Sequence, residues 1–179
     1  GTRIATPEGE RPVEGLAIGD PVCTADGRDV PVRWIGRQVL RATIGREGEH
    51  LRPVRIRAGA LGHGLPRTDL MVTADHGMIL DGLVINAGAL VNGDTIDWVP
   101  LADLPASFTV YHVETEAHDV ILANGAPAET FIDYVGRRAF DNHAEYLALY
   151  GCERIIPEMA RPRISTARLL PEAIRARLG

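Results

Sequence analysis

Over the first 130 residues or so, apolar and polar positions alternate in short stretches separated by turn-forming pairs. A period of two puts every second side chain on one face of an extended chain, the mark of a half-buried strand. Thr2 to Thr6 alternates and meets a turn at Pro7-Glu8-Gly9. Val22-Cys23-Thr24 leads to Asp26-Gly27 and then to Val30 through Ile35, which reads as one strand. Ile79-Leu80 runs into Asp81-Gly82, and Val120-Ile121-Leu122 runs toward Asn124-Gly125. Asp-Gly or Asn-Gly between apolar runs predicts a hairpin, because tight hairpin turns need the left-handed backbone these residues tolerate. Residues 53–57, 69–73, 95–99 and 108–113 are further predicted strands, and 45–50 reads as a charged loop.

A short internal repeat lies within this β region. "LAIGD" at 16–20 returns as "LVNGD" at 90–94, sharing Leu-x-x-Gly-Asp. Each copy follows a hairpin-like stretch and precedes another strand, which predicts two related β subdomains rather than a solenoid. After Asp133 the pattern changes. "RRAFDNHAEYLALYG" places Phe140, Tyr146 and Leu147 near helical spacing, with Gly151 closing the helix. "PEMARPRIS", 157–165, reads as a Pro-punctuated linker, and "LLPEAIRARLG" as a short helix starting near Pro171. The predicted organisation is an all-β domain over residues 1–133 and a helical C-terminal extension over 134–179.

Composition narrows the classes. The chain has 179 residues, 45% hydrophobic and 24% charged, as a globular domain does. No apolar run approaches the roughly 18 residues that span a bilayer, so no membrane partner is expected. Net charge is −5, which argues against nucleic acid despite the local Arg52, Arg55 and Arg57 group. The two cysteines, Cys23 and Cys152, form no Cys-x-x-Cys pair and read as small buried hydrophobes. Neither Ser107 nor Ser165 lies in Gly-x-Ser-x-Gly, and no phosphate-binding or dinucleotide glycine pattern is present. Gly1 opens directly into patterned sequence, as an internal piece of a longer protein does.

The stretch "VTADHGMIL", 72–80, carries the most chemistry. Thr73, Asp75 and His76 sit inside an otherwise apolar run. One reading is a turn in which the Thr or Asp oxygen bonds nearby backbone N–H groups. The other is a proton-transfer site centred on His76, with Asp75 either orienting the ring or pointing away. A second such stretch, "VYHVETEAHDVILANG", 110–125, places His118 just before a strand and an Asn-Gly turn.

The order of these segments resembles the Hint family, the module shared by hedgehog C-terminal domains and inteins. "GTRIATPEG" resembles the stretch after the family's nucleophile, which in bacterial members typically reads Cys-Phe, two residues, then Gly-Thr. "EGLAIGDPVCTADG" resembles the hedgehog-type segment after the first hairpin. "VTADHGMIL" is similar to the Thr-x-x-His motif, and "YHVETEAHDVILANG" to the last intein-type motif. The resemblance covers residues 1–133. It implies a pseudo-twofold horseshoe β fold with a short C-terminal helical tail. It also implies backbone self-processing without a cofactor or metal, acting on the upstream segment of the chain's own precursor. His76 then donates the proton that makes the amide nitrogen a leaving group, Thr73 holds the scissile peptide, and His118 supports proton transfer or positioning.

Three departures shape what is expected. Gly1 has no side chain and Thr2 is out of place, so the nucleophile is expected upstream of this chain. "VPVRWIGRQ" lacks the acid that sterol-transferring hedgehog members carry, so sterol transfer is not implied. Inteins end in His-Asn, whereas the matching positions here are Glu129-Thr130, so cleavage is expected at the N-terminal junction alone. Two other classes compete: a catalytically inert Hint-like scaffold, and a metal-dependent hydrolase using His76, His112 and His118.

Overall fold

The computed structural model describes residues 1–41, 52–134 and 136–179. The charged loop expected at 45–50 lies outside them. Strands dominate, in chain order β1 (Arg3–Thr6), β2 (Gly9–Pro12), β3 (Pro21–Cys23), β4 (Asp29–Pro31), β5 (Trp34–Arg41), β6 (Pro53–Ile56) and β7 (Leu70–Thr73). Then follow β8 (Gly77–Leu80), β9 (Leu83–Asn86), β10 (Ile96–Trp98), β11 (Ser107–Glu114), β12 (Val120–Ala123) and β13 (Ala126–Glu129). Helix α1 (His143–Tyr150), strand β14 (Arg163–Ile164) and helix α2 (Glu172–Leu178) complete the chain. This is an all-β body with a C-terminal helical segment. No helix among the described residues is long and apolar enough to cross a membrane.

The hairpins fall where the turn pairs stand. At Asp81-Gly82 φ is 50° and 81°, and at Asn124-Gly125 it is 48° and 81°. Both positions are thus left-handed, as a two-residue hairpin turn requires. They join β8 to β9 (Leu80↔Leu83) and β12 to β13 (Ala123↔Ala126). The stretch from Val30 to Ile35 is two strands, not one. Val32 N–H bonds Asp20 O and Arg33 N–H bonds Glu114 O, so here the chain leaves the β3–β4 pair and joins β11.

The Leu-x-x-Gly-Asp copies occupy matching settings. Each begins at a buried leucine, Leu16 or Leu90, at the end of a short 3₁₀ turn that follows a hairpin, β1–β2 or β8–β9. Each is followed by a short strand, β3 or β10. The two long strands β5 and β11 pair antiparallel along their whole length, Trp34↔Glu114 to Arg41↔Ser107.

Two packed clusters hold the molecule together. The larger gathers buried apolar side chains, among them Val22, Val54, Ile56, Leu70, Met78, Ile85 and Ile96 of the strands and Leu90 of a 3₁₀ turn. Each such side chain contributes about 1.5–3 kcal/mol on burial. The smaller gathers Trp34, Phe131, Phe140, Tyr146 and Ile156. Its rings meet edge to face, with Trp34 5.5 Å from Phe140 and 5.2 Å from Tyr146 between centroids. That geometry sets the positive ring edge against the negative face.

Residues 136–179 are packed into the body. Ile174 and Leu178 of α2 enter the larger cluster, and Tyr146 of α1 the smaller. Strand β14 pairs parallel with β9 at the edge of a seven-stranded sheet ordered β14-β9-β8-β13-β12-β1-β2. Arg137 is fully buried and donates to Glu114 Oε2 at 2.8 Å and Asp133 Oδ1 at 2.6 Å. A buried charge must be paired in this way, since leaving either partner alone is costly. The segment 157–165, expected as a linker, contains β14. Cys152 is exposed and Cys23 only half-buried, contrary to the expectation of buried thiols. Cys152 follows the helix-closing Gly151, which turns it away from the core.

Candidate active site

The Thr73-Ala74-Asp75-His76 segment carries the chain from the three-stranded sheet β10-β6-β7 into the seven-stranded sheet. Its turn is made by backbone alone. His76 N–H donates to Thr73 O at 3.0 Å, and the C=O groups of His76 and Ala74 accept from Ala87 and Gly88 N–H at 2.9 and 2.8 Å. Among the described residues, the side chains of Thr73, Asp75 and His76 make no hydrogen bond. The segment is thus a turn whose side chains are left unused. Asp75 is exposed and does not orient the His76 ring.

Thr73 and His76 border two cavities at once. The larger, about 660 Å³, is also lined by Gly1, Thr2, His112 and Glu129, with apolar walls that include Ile4, Met71 and Phe108. The smaller, about 380 Å³, shares Thr73, His76, His112 and Glu129 and adds Arg163 and Asp75. The first residues of the chain and the Thr-x-x-His segment therefore face one space.

His112 comes from β11, and its ring centroid lies 5.5 Å from that of His76. Behind it, Phe131 and Phe140 stand at 6.3 and 5.4 Å. Neither His76 nor His112 has a hydrogen-bond partner among the described residues. Burial pushes the His112 imidazole down to about 3, and the neighbouring His76 adds to this. Burial also lowers His76; the Glu129 charge opposes that effect and the Arg163 charge reinforces it. Both rings are therefore unprotonated at neutral pH, because the apolar setting disfavours the charged form.

Glu129 ends β13 next to β8 and is buried. Its Oε1 accepts from Gly77 N–H at 2.7 Å and from Arg163 Nη1 at 3.1 Å. Its Oε2 accepts from Arg163 Nη2 at 2.5 Å and from His118 Nε2 at 2.9 Å. Burial alone would raise this carboxyl, but the hydrogen bonds from His118 and Arg163, with the charges around them, hold it at about 2. It is an anion at neutral pH. A Cβ on Gly77 would lie 2.5 Å from Glu129 Oε1, so only glycine lets the carboxylate reach the backbone beside His76.

His118 is placed differently. It is buried and borders neither cavity. Met159 N–H donates to its Nδ1 at 3.1 Å. The ring hydrogen therefore sits on Nε2, where it is donated to Glu129. Thr130 is also buried, and its hydroxyl oxygen accepts from Asp119 N–H at 2.9 Å. The three-histidine metal reading does not match this arrangement, because both His118 nitrogens are occupied. Among the described residues, no group of three or more His, Cys, Asp or Glu side chains is set to hold an ion.

Comparison with known proteins agrees with the topology. A family model described as the Hint domain matches residues 1–135. The chain belongs to the Hint domain family. That family is one of self-processing modules that act within their own precursors. Among solved structures, a variant of the MchDnaB-1 intein is similar, with TM-score 0.51 and 22% identity over 73% of this chain and 96% of that one. The MchDnaB-1 intein itself gives TM-score 0.51 and 21% identity over 71% and 95%. At these identities the likeness establishes the Hint fold. No curated protein matches the chain.

Three residues of this Hint domain's site were not singled out from sequence in their present roles. His112 appeared there only as a metal-ligand candidate, and Glu129 only as a departure from the intein ending. Arg163 lay in the apparent linker.

Proposed function

We propose that this Hint domain cleaves the peptide bond at the N-terminal junction of its own precursor by an acyl shift. The nucleophile is a Cys or Ser a few residues upstream of Gly1. The observation that supports this reading is the shared cavity, in which Gly1 and Thr2 face Thr73, His76 and His112. An upstream segment joined to Gly1 starts at the wall of this cavity, where the side chains of Thr73, His76 and His112 have no hydrogen-bond partner among the described residues.

The chemistry follows from the protonation states. The upstream thiol or hydroxyl attacks the carbonyl carbon just before it while unprotonated His76 takes its proton. The adduct collapses, the C–N bond breaks, and the imidazolium returns that proton to the departing nitrogen. The product is a thioester or ester with a free amine, which water or a thiol then cleaves. His76 thus accepts before it donates. Thr73, whose hydroxyl is unused, holds the scissile peptide by a hydrogen bond. His118, fixed between Met159 and Glu129, positions Glu129. Glu129 remains an anion and Thr130 carries no amide that could cyclise, which supports N-terminal cleavage without splicing.

The test is to extend the full chain upstream of Gly1 to a Cys and follow cleavage. Cleavage that occurs at that Cys and is lost in Cys→Ala is the expected result. A stable precursor would favour the inert-scaffold reading.

A further inference from the structure

Of the residues that hydrogen-bond Glu129, Gly77 and His118 lie within the stretch matched by the Hint domain model, and Arg163 lies beyond it. Arg163 enters from β14, which is held at the sheet edge by Arg163↔Val84 and Ile164↔Ile85. Its guanidinium spans Glu129 and reaches Asn86 Oδ1 at 3.0 Å, and it stacks 4.7 Å over the Tyr134 ring. Met159 N–H, four residues earlier, fixes the His118 ring that also holds Glu129. The Oε1 that accepts from Arg163 Nη1 also accepts from Gly77 N–H, the amide directly after His76.

This arrangement meets a physical conflict. A carboxylate is the strongest available acceptor for the Gly77 amide and so anchors the turn well. Yet an uncompensated negative charge beside His76 favours an imidazolium, which cannot take a proton from a nucleophile. A cation bonded to the same carboxylate removes the conflict. The groups acting on His76 are Glu129 from β13, His112 from β11, Arg163 from β14 and, through Glu129, His118 just before β12, with Asp75 of its own turn in solvent.

We propose that Arg163 is a positioning residue of this site: it lets Glu129 anchor the His76 turn while cancelling the charge that Glu129 would otherwise impose on His76. The C-terminal segment is then a working part of the proton-transfer site. The inference rests on the proposed role of His76 in cleavage, but its first test does not need cleavage.

In the full 179-residue chain, the His76 ring is titrated by NMR in the parent, R163M, R163K and E129Q. R163M moves the His76 midpoint to higher pH. E129Q keeps an acceptor for Gly77 N–H and moves the midpoint to lower pH. R163K restores the cation and returns the midpoint toward the parent. Loosening of the fold would hydrate the ring and move R163M and E129Q upward together, so opposite shifts identify charge compensation. R168M, at an exposed arginine of the same segment, leaves the midpoint unchanged. A midpoint unchanged in R163M, or raised in E129Q, overturns the proposal. If R163M does not fold, the E129Q and R163K titrations still decide it.

The second arm uses the upstream-extended precursor. There R163M shifts the pH profile of cleavage to higher pH, and R163K shifts it back. A parent precursor that never cleaves removes the cleavage reading, while the titrations still decide the role of Arg163.

Discussion

Two histidine settings lie on either side of Glu129, and they differ in what their nitrogens do. His76 and His112 border the cavities and make no hydrogen bond among the described residues. His118 spends both nitrogens, one on Met159 N–H and one on Glu129. Occupied nitrogens fix a tautomer and hold structure, whereas unoccupied ones are free to take and return a proton. In the proposed cleavage, the contrast gives His76 the chemistry and His118 a supporting place. It predicts that substitutions in the two settings damage different properties.

The largest effect belongs to the open setting. His76→Ala slows cleavage of the upstream-extended precursor by about 10²–10⁴-fold, the usual scale for losing a proton-transfer group. It leaves the denaturant midpoint near that of the parent, because the side chain makes no hydrogen bond. Equal cleavage rates in variant and parent would take His76 out of the mechanism.

Glu129→Ala has the opposite profile. It takes from Arg163 its buried carboxylate partner and leaves His118 Nε2–H and Gly77 N–H unpaired, and breaking a buried charge pair costs about 3–5 kcal/mol. Urea unfolding measures this loss. His118→Ala costs less, about 1–3 kcal/mol, because it leaves Met159 N–H and one carboxylate oxygen short of a partner. If His118→Ala abolished cleavage without loss of stability, the division between the two settings would fail.

Acid acts on both settings at once. His112 takes up its proton near 6.5 in the unfolded chain and only near 3 when folded. Across that interval the unfolded state binds more protons, so stability falls as pH drops, and His76 acts in the same direction. Glu129 titrates near 4.5 when free and near 2 when folded. Its stabilisation is complete above about 4.5 and is lost as pH falls toward 2. The urea midpoint therefore decreases from neutral pH downward, first through the two histidines and then more steeply through Glu129. A midpoint that rose between pH 6.5 and 4.5 would contradict the depressed histidines.

Much of this was legible in the chain. Asp81-Gly82 and Asn124-Gly125 marked hairpins because the backbone there must turn left-handed, a local requirement. The repeat at 16–20 and 90–94 marked matching turns for the same local reason. Thr73 and His76 stood out as polar positions in an apolar run. What escaped notice depends on distance along the chain. Glu129 reaches Gly77 across 52 residues and Arg163 across 34, and no periodicity encodes such meetings. His112 lies on β11 and borders the cavities, whereas His118 is held by Met159 and Glu129, a division that their spacing in the chain does not show. The break at Val32-Arg33 came from a change of strand partner, which alternation alone does not register.

The most direct measurement is the intact mass of the upstream-extended precursor after incubation with and without added thiol. The expected result is a single break at the upstream Cys, faster with thiol, with the thiol captured on the released upstream fragment and residues 1–179 left whole on the other product. An uncleaved precursor, ligated flanking segments, or a product ending near Thr130 would contradict the account.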